Sequence, residues 1–239
     1  MPIRKKDFIE IEFTGKLKED GSVFDTTNEA IAHSSGIYSP NASYGPLIIC
    51  IGQKQILPGL EARIEGKEPG SYTIELKPEE AFGTKDPKLL QLIPLKKFLQ
   101  QGIRPIAGLQ INIDGAVGTV RAVSGGRCVV DFNHPLAGKG VVYEVKINRI
   151  VSDKKEQLSS LLKMFGEKEA EVVIEGEKAI IKLKKELPEL FREKLKEMSK
   201  ELVGLSIEFV TQSLEKVNGS TAPQEKEKIV TEKKESQAS

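Results

Sequence analysis

The stretch that most constrains this chain runs from Leu47 to Glu61, LIICIGQKQILPGLE. It opens as an apolar run, Leu47-Ile48-Ile49-Cys50-Ile51, short enough for a strand and apolar enough to be covered on both faces. Gly52 breaks it. Ile56 to Glu61 then reads as one or two turns of helix with Pro58 near the start, where the first amide has no intrahelical partner to lose. Four large aliphatic residues, Ile51, Ile56, Leu57 and Leu60, thus surround a turn and a short helix that carry no catalytic polar group. Alone, this is a helix packed on a sheet, the ordinary fate of apolar runs. The competing reading is the floor of an apolar pocket, and it needs support from other parts of the chain.

At 239 residues the chain is longer than one average domain, so two or three units are expected. Charged residues make up 30% and hydrophobic ones 38%, a soluble globular composition. Lys and Arg total 36 against 35 Asp and Glu, and a net charge of +1 supplies no field that points to nucleic acid or an anionic membrane. The N-terminus, MPIRKKDFIEIEF, is basic but lacks the apolar core of a signal peptide. No apolar stretch reaches bilayer length, so a cytoplasmic protein is expected.

Cys50 and Cys128 are far apart and sit in apolar, strand-like contexts, which makes them buried thiols. His33 and His134 are the only histidines, and neither has a Cys, His or carboxylate cluster beside it. No metal and no cofactor is expected, and the same scarcity argues against Ser-His or Cys-His nucleophilic catalysis. Gly125-Gly126 reads as a hairpin turn rather than a phosphate loop.

Ile9, Ile11 and Phe13 alternate with Glu10, Glu12 and Thr14, the pattern of a half-buried strand. Asp20-Gly21 signals a turn before Val23-Phe24. Residues Asn28 to Pro46, rich in Ser, Asn, Gly and Pro, read as a long excursion pinned by Tyr38 and Tyr44. Tyr72, Ile74 and Leu76 share one strand face, and Pro78 to Gly83 reads as a loop carrying Phe82. The character changes at Lys85: a short apolar segment ends at Pro94, a helical scrap covers Leu95 to Gln101, and Ala116–Val123 with Cys128–Phe132 forms a hairpin. Val141, Tyr143, Val145 and Ile147 then mark the clearest strand of the chain. Beyond Ser152 the pattern is αββαβ. Asp153 and Glu156 have capping-box spacing, Leu158, Leu161, Leu162 and Phe165 form one helix face, and Phe191, Leu195, Met198 and Leu202 form another. Residues 218–239 are Glu/Lys/Ser-rich and read as a disordered tail.

The order of motifs now becomes informative: Phe13-Thr14-Gly15, Asp20-Gly21-x-x-Phe24-Asp25, Ile51-Gly52, Ile56-Leu57-Pro58-Gly59-Leu60-Glu61, Ala81-Phe82-Gly83 and Tyr143. Each is weak alone, but together they resemble the FKBP-type peptidyl-prolyl cis/trans isomerases. The segment ending in Asn133-His134-Pro135-Leu136-Ala137-Gly138 is similar to the insert-in-flap domain of the SlyD-type branch, and the added C-terminal unit resembles the long archaeal members. The resemblance implies an α+β fold: a bent antiparallel sheet wrapped on a short helix over residues 1–84 and 135–151. A small β-rich insert would occupy 85–134 and a small α+β domain 152–217.

It also implies the activity, acceleration of X-Pro isomerisation during folding, and a pocket. Asp25, Phe24 and Tyr143 would be catalytic; Phe13, Leu47, Ile49, Ile56, Leu57, Leu60, Phe82 and Leu136 would bind substrate. Phe24 and Tyr143 would seat the proline over Leu60, and the Leu57 amide would hold an acyl carbonyl. For Asp25 two roles stay open, orienting the reacting amide or bonding to the backbone or Tyr143. Phe13 and Phe82 stand where that family often has tyrosine, and Leu60 where it often has tryptophan; the missing hydroxyl at 82 counts against macrolide affinity more than against isomerisation.

Expected partners are unfolded or partly folded polypeptides with X-Pro bonds, with no nucleic acid and no membrane. The insert, rich in apolar residues for its size, would give chaperone activity. The C-terminal helix faces read either as a homodimer contact or client-holding surface, or as an ordinary core. The alternative to an enzyme is a non-catalytic holdase chaperone or binding scaffold that uses the same apolar surfaces.

Overall fold

The computed structural model describes residues 1–113, 115–167 and 169–211, so the tail expected over 218–239 lies outside the described residues. From the N-terminus come β1 (Phe8–Leu17), β2 (Val23–Thr26), α1 (Glu29–Ser34), β3 (Leu47–Cys50), α2 (Pro58–Ile64) and β4 (Gly70–Leu76). A second group follows: β5 (Leu90–Pro94), α3 (Leu95–Gln100), β6 (Gln110–Ile113), β7 (Ala116–Ser124) and β8 (Arg127–Asp131). The chain returns through β9 (Val141–Val151), then continues as α4 (Lys154–Met164), β10 (Glu171–Glu175), β11 (Lys178–Leu183), α5 (Glu189–Met198) and β12 (Ser206–Thr211). The class is α+β, as the family resemblance implies.

β1 organises the first sheet. It pairs antiparallel with β9 along its whole length and shares its other edge between β3, at Phe8–Ile11, and β2, at Thr14–Lys16. Register shifts at Glu10/Ile11 and Gly15/Lys16 bend it. Ile9 and Ile11 of β1, Ile74 and Leu76 of β4, and Val141, Val145 and Ile147 of β9 then form one buried face with Leu60 and Ile64 of α2. Pro58 is the first residue of α2, where its missing N–H costs nothing. Gly59 has a second reason: a Cβ there would stand 2.1 Å from the Glu80 carbonyl oxygen. Only glycine lets α2 pack so close to the turn at Pro78–Glu80, a contact that the Arg63–Glu80 ion pair (2.8 Å) also fastens.

The apolar run of β3 is covered on both faces, by two different cores. Ile49 and Ile51 belong to the core under α2, whereas Cys50 and its neighbour Ile48 face the C-terminal core. Leu47 departs from the expectation and is 40% exposed. The excursion after β2 also holds an element that composition hid. Asn28 accepts the Ile31 N–H (3.1 Å) and caps α1, and the rings of His33, Tyr38 and Tyr44 stack in series beyond it.

The second sheet runs β5-β8-β7-β6 around Phe98, Ile111, Val120, Cys128 and Val130. Its hairpin turns at Gly125 and Gly126, both with positive φ (55° and 72°), which suits a tight turn between twisted strands. β6, only four residues long, is not apparent from the sequence. At the root of this sheet Asp131 has almost no accessible surface and is paired with Arg121 and Lys85. Asn133 donates to Asp131 and exchanges hydrogen bonds with Asp86, so the entering and leaving chains are tied together.

The third sheet, β10-β11-β12, has β12 parallel to β11. Asp153 caps α4 by accepting the Glu156 N–H (2.8 Å), but the reciprocal half of the expected box is replaced because the Glu156 carboxylate turns to Arg149. Leu158, Leu161 and Leu162 are buried with Phe8, Cys50 and Val151 of the first sheet. That helix face is spent inside the chain and offers no surface to a partner. Met198 is likewise buried, while Leu190 and Phe191 stay exposed.

Candidate active site

Tyr143 lies on β9 directly across from Gly15 on β1 and Ile74 on β4. That register puts its ring between two others, Phe13 at 5.9 Å and Phe24 at 5.8 Å between centroids, both edge-to-face. Phe24 meets Phe82 in the same way at 5.6 Å, and His134 stacks on the far side of Phe82 at 4.8 Å. Edge-to-face pairs of this kind contribute about 0.5–1.5 kcal/mol beyond their burial and fix ring orientation. Gly15 makes the cluster fit. A Cβ there would stand 2.8 Å from Phe24 Cζ and 3.0 Å from Tyr143 Cε1. The sequence places Gly15 in a motif; the packing supplies its reason.

The other expected residues fall into three groups. Ile49 and Leu60 are fully buried in the core that the rings pack against, so they support the cluster from behind. Ile56, Leu57 and Phe82 are half-buried against that core, and Leu57 stands at the entrance of α2, where helix amides lack intrahelical acceptors. Leu136 sits in the turn after β8, its N–H donating to His134 Nδ1 (3.2 Å), and does not belong to the core cluster.

In front of the rings lies a groove of about 580 Å³ lined by Phe13, Phe24, Asp25 and Leu47. Tyr44, Pro46 and Lys163 also line it, whereas Tyr143, Phe82, Ile56 and Leu57 do not. Lys163 comes from α4, and no local pattern could have assigned it to this site. Asp25 is open to solvent on one side, yet the protein around its carboxyl raises its pKa above the ordinary value, partly offset by the Thr26 N–H. Burial pushes the Tyr143 phenol up as well, and the neighbouring Asp25 charge adds to it.

This geometry holds neither a nucleophile–base pair nor an activated thiol. Cys50 is fully buried, and burial followed by the Glu61 charge pushes its pKa up to about 12. Among the described residues no three His, Cys, Asp or Glu side chains gather in a way that could hold a metal ion, and no helix is long and apolar enough to cross a membrane. What the arrangement offers is a shaped, ring-walled apolar cup beside one carboxylate.

Comparison with known proteins agrees with that chemistry. A family model described as FKBP-type peptidyl-prolyl cis-trans isomerase matches residues 2–103, and one described as FKBP26, IF domain matches 91–136. The short-type peptidyl-prolyl cis-trans isomerase of Methanocaldococcus jannaschii is 31% identical over 149 residues, covering 62% of this chain and 94% of that protein. A probable FKBP-type 16 kDa isomerase of Pseudomonas fluorescens is 36% identical over 43% of this chain and 71% of its own. The SlyD isomerase of Helicobacter pylori is 33% identical over 48% and 64%. With 94% of the archaeal relative's length matched at 31% identity, this chain belongs to the FKBP-type peptidyl-prolyl cis-trans isomerases.

Proposed function

We propose that the enzyme turns X-Pro bonds within the ring cluster around Tyr143 and holds unfolded chains on its insert while it does so. The observation that carries the first part is the edge-to-face set of Phe13, Tyr143, Phe24 and Phe82, of which Phe13 and Phe24 line the groove beside Asp25. Rotation about an X-Pro bond faces a barrier of about 18–20 kcal/mol created by amide resonance. Uncatalysed exchange therefore takes tens to hundreds of seconds. The planar amide separates charge and the twisted one does not, so a pocket that strips water from the amide disfavours the ground state relative to the transition state. Phe24 and Tyr143 seat the proline ring. The Leu57 N–H, at the start of α2, receives a substrate carbonyl, and Asp25 orients the amide.

The second part draws support from the openness of the insert. Leu92, Ile106 and Val117 are each at least 60% exposed, and a groove of about 820 Å³ lies between the edge strands β5 and β6, lined by Leu92, Ile93, Phe98, Ile111 and Ile113. Exposed apolar side chains gathered beside a groove offer a place for an apolar segment of another chain to bind. For a homodimer contact of the C-terminal unit we propose Leu190 and Phe191, two of its exposed apolar residues, and sedimentation of a Leu190→Ser, Phe191→Ser variant tests it. The unpaired cysteines suit a reducing, cytoplasmic compartment.

The deciding experiment follows the refolding of a protein limited by prolyl isomerisation, with catalytic amounts of the native chain and of Phe24→Ala. Phe24 is half-buried, so its removal disturbs the fold less than loss of buried Tyr143. Acceleration that Phe24→Ala loses supports the cup. Equal acceleration by both proteins places the chemistry elsewhere.

A further inference from the structure

We infer that α4 makes the isomerase selective. Lys163, helped by Lys155 on the same helix, favours polypeptides that carry an acidic side chain near the X-Pro bond. This rests on the ring cup being the site of isomerisation.

The groove in front of the cup does not end at the first sheet. A second concavity of about 720 Å³ shares Pro46, Leu47 and Lys163 with it and runs on between Ile48 of β3 and the Lys155, Ser159 face of α4. A chain leaving the cup past Leu47 therefore enters a trough with a strand on one side and a helix on the other. At about 3.3 Å per extended residue, side chains a few positions from the proline lie inside it.

The charges along this trough are not equally available. Glu10 and Glu156 are both held by Arg149, at 2.8 and 2.5 Å. The Asp153 carboxylate is occupied as the cap of α4. Lys155 and Lys163 line the same trough, and neither has an ion-pair partner among the described residues. The helix cannot turn them away, because its adjoining face, Leu158, Leu161 and Leu162, is locked in the C-terminal core. The three carboxylates keep their charge, so with Arg149 the trough is close to neutral as a whole, and position decides. A carboxylate beside Lys163, where the two grooves meet, finds an ammonium that no acid among the described residues is paired with, whereas a lysine there meets that same positive charge. On the other wall, Asp25 disfavours an acid placed directly at the reacting bond. The favoured acid is thus displaced from the proline, toward α4.

The test uses the full-length protein and a set of peptides with one Leu-Pro bond and a single glutamate, lysine or alanine at successive positions before and after it. Exchange rates are read by NMR. At least one position is expected to show a glutamate-over-lysine preference in kcat/KM of about three-fold to ten-fold, the range of one or two solvent-screened pairs, carried by KM and fading as salt rises. Lys155→Glu, Lys163→Glu should invert that ratio, and Lys155→Ala, Lys163→Ala should bring it toward one. Equal rates for the glutamate and lysine peptides at every position overturn the inference, as does a preference that survives in both variants. In either case, catalysis of the alanine peptide leaves the cup assignment standing. Absence of catalysis on every peptide removes both.

Discussion

The first sheet and the sheet of the insert both present apolar side chains to a concavity, but they solve opposite problems. Around Tyr143 the rings hold each other edge-to-face, and the residue itself is 3% exposed. In the insert, Leu92 and Ile106 are left more than 60% exposed over a core of only a few buried residues. Enclosed apolar surface with fixed ring geometry can distinguish a twisted amide from a planar one. Open apolar surface has no such geometry to enforce; under the proposed function it would hold chains that differ in sequence. The two regions also stand on different supports: a long β1–β9 ladder under one, and a single buried carboxylate, Asp131, at the root of the other.

The sharpest way to break this comparison is to spoil the geometry of the cup without opening it. Gly15→Val puts side-chain atoms where the Phe24 and Tyr143 rings already stand, and misplacement of about 1 Å can cost about a hundred-fold in rate. We expect kcat/KM on a tetrapeptide to fall by about that factor while circular dichroism still reports the native sheet. The converse variant, Leu92→Ser with Ile106→Ser, should leave tetrapeptide isomerisation unchanged but slow catalysed refolding of an unfolded protein several-fold. Both positions are exposed, so melting should shift by no more than about 0.5 kcal/mol per site. If refolding is unaffected, the insert does not hold clients through this surface.

The junction between the two regions makes a third, pH-dependent prediction. Burial works to raise the Asp131 pKa, but hydrogen bonds from Asn133 and Arg121 and the charge of Lys85 outweigh it and hold it at about 2. A carboxylate depressed in the folded state contributes stability above its ordinary pKa and loses it as pH falls through the folded value. Amide protection around Asp86 and Asn133 should therefore decline from about pH 4 to about pH 2. In Asp131→Asn it should already be reduced at neutral pH. The smallest effect belongs to Asp25. Its raised pKa means that the folded state binds the proton more tightly, so stability present below the ordinary carboxylate pKa is lost as pH rises through the raised one. Asp25→Asn should raise stability slightly at neutral pH, by less than about 0.5 kcal/mol for so exposed a group, and not in acid. A simultaneous drop in kcat/KM, measured on a neutral peptide, would show what the charge is kept for.

Much of the first sheet was legible because its signals are local. Alternation in Ile9–Phe13 and Val141–Ile147 marks which side of each strand faces the core, and Pro58 marks the start of α2. α1 was hidden because Asn28, its cap, sits in a run of loop-forming residues whose composition dominates the reading. β6 was hidden because four residues show too little alternation to stand out. Of the expected site positions, Phe13, Phe24, Phe82 and Tyr143 meet as rings and Leu60 and Ile49 are buried beneath them, while Lys163 was absent from the expectation.

Strand periodicities and the starts of α2 and α4 were readable in the sequence by itself, because each depends on a handful of neighbouring residues; the close approaches that require Gly15 and Gly59 are tertiary contacts. The sequence also determined the family, through motif order. Only the tertiary structure decided which faces meet. Phe13, Phe24, Phe82 and Tyr143 converge because a bent β1 sets the register of β2 on one edge and β9 on the other. Lys163 reaches the groove because Cys50 and Phe8 draw α4 onto the back of the first sheet. A pattern of hydrophobic residues states that a face must be buried; it does not name the partner, and here the partner is what turns an apolar core into a site with a charged rim.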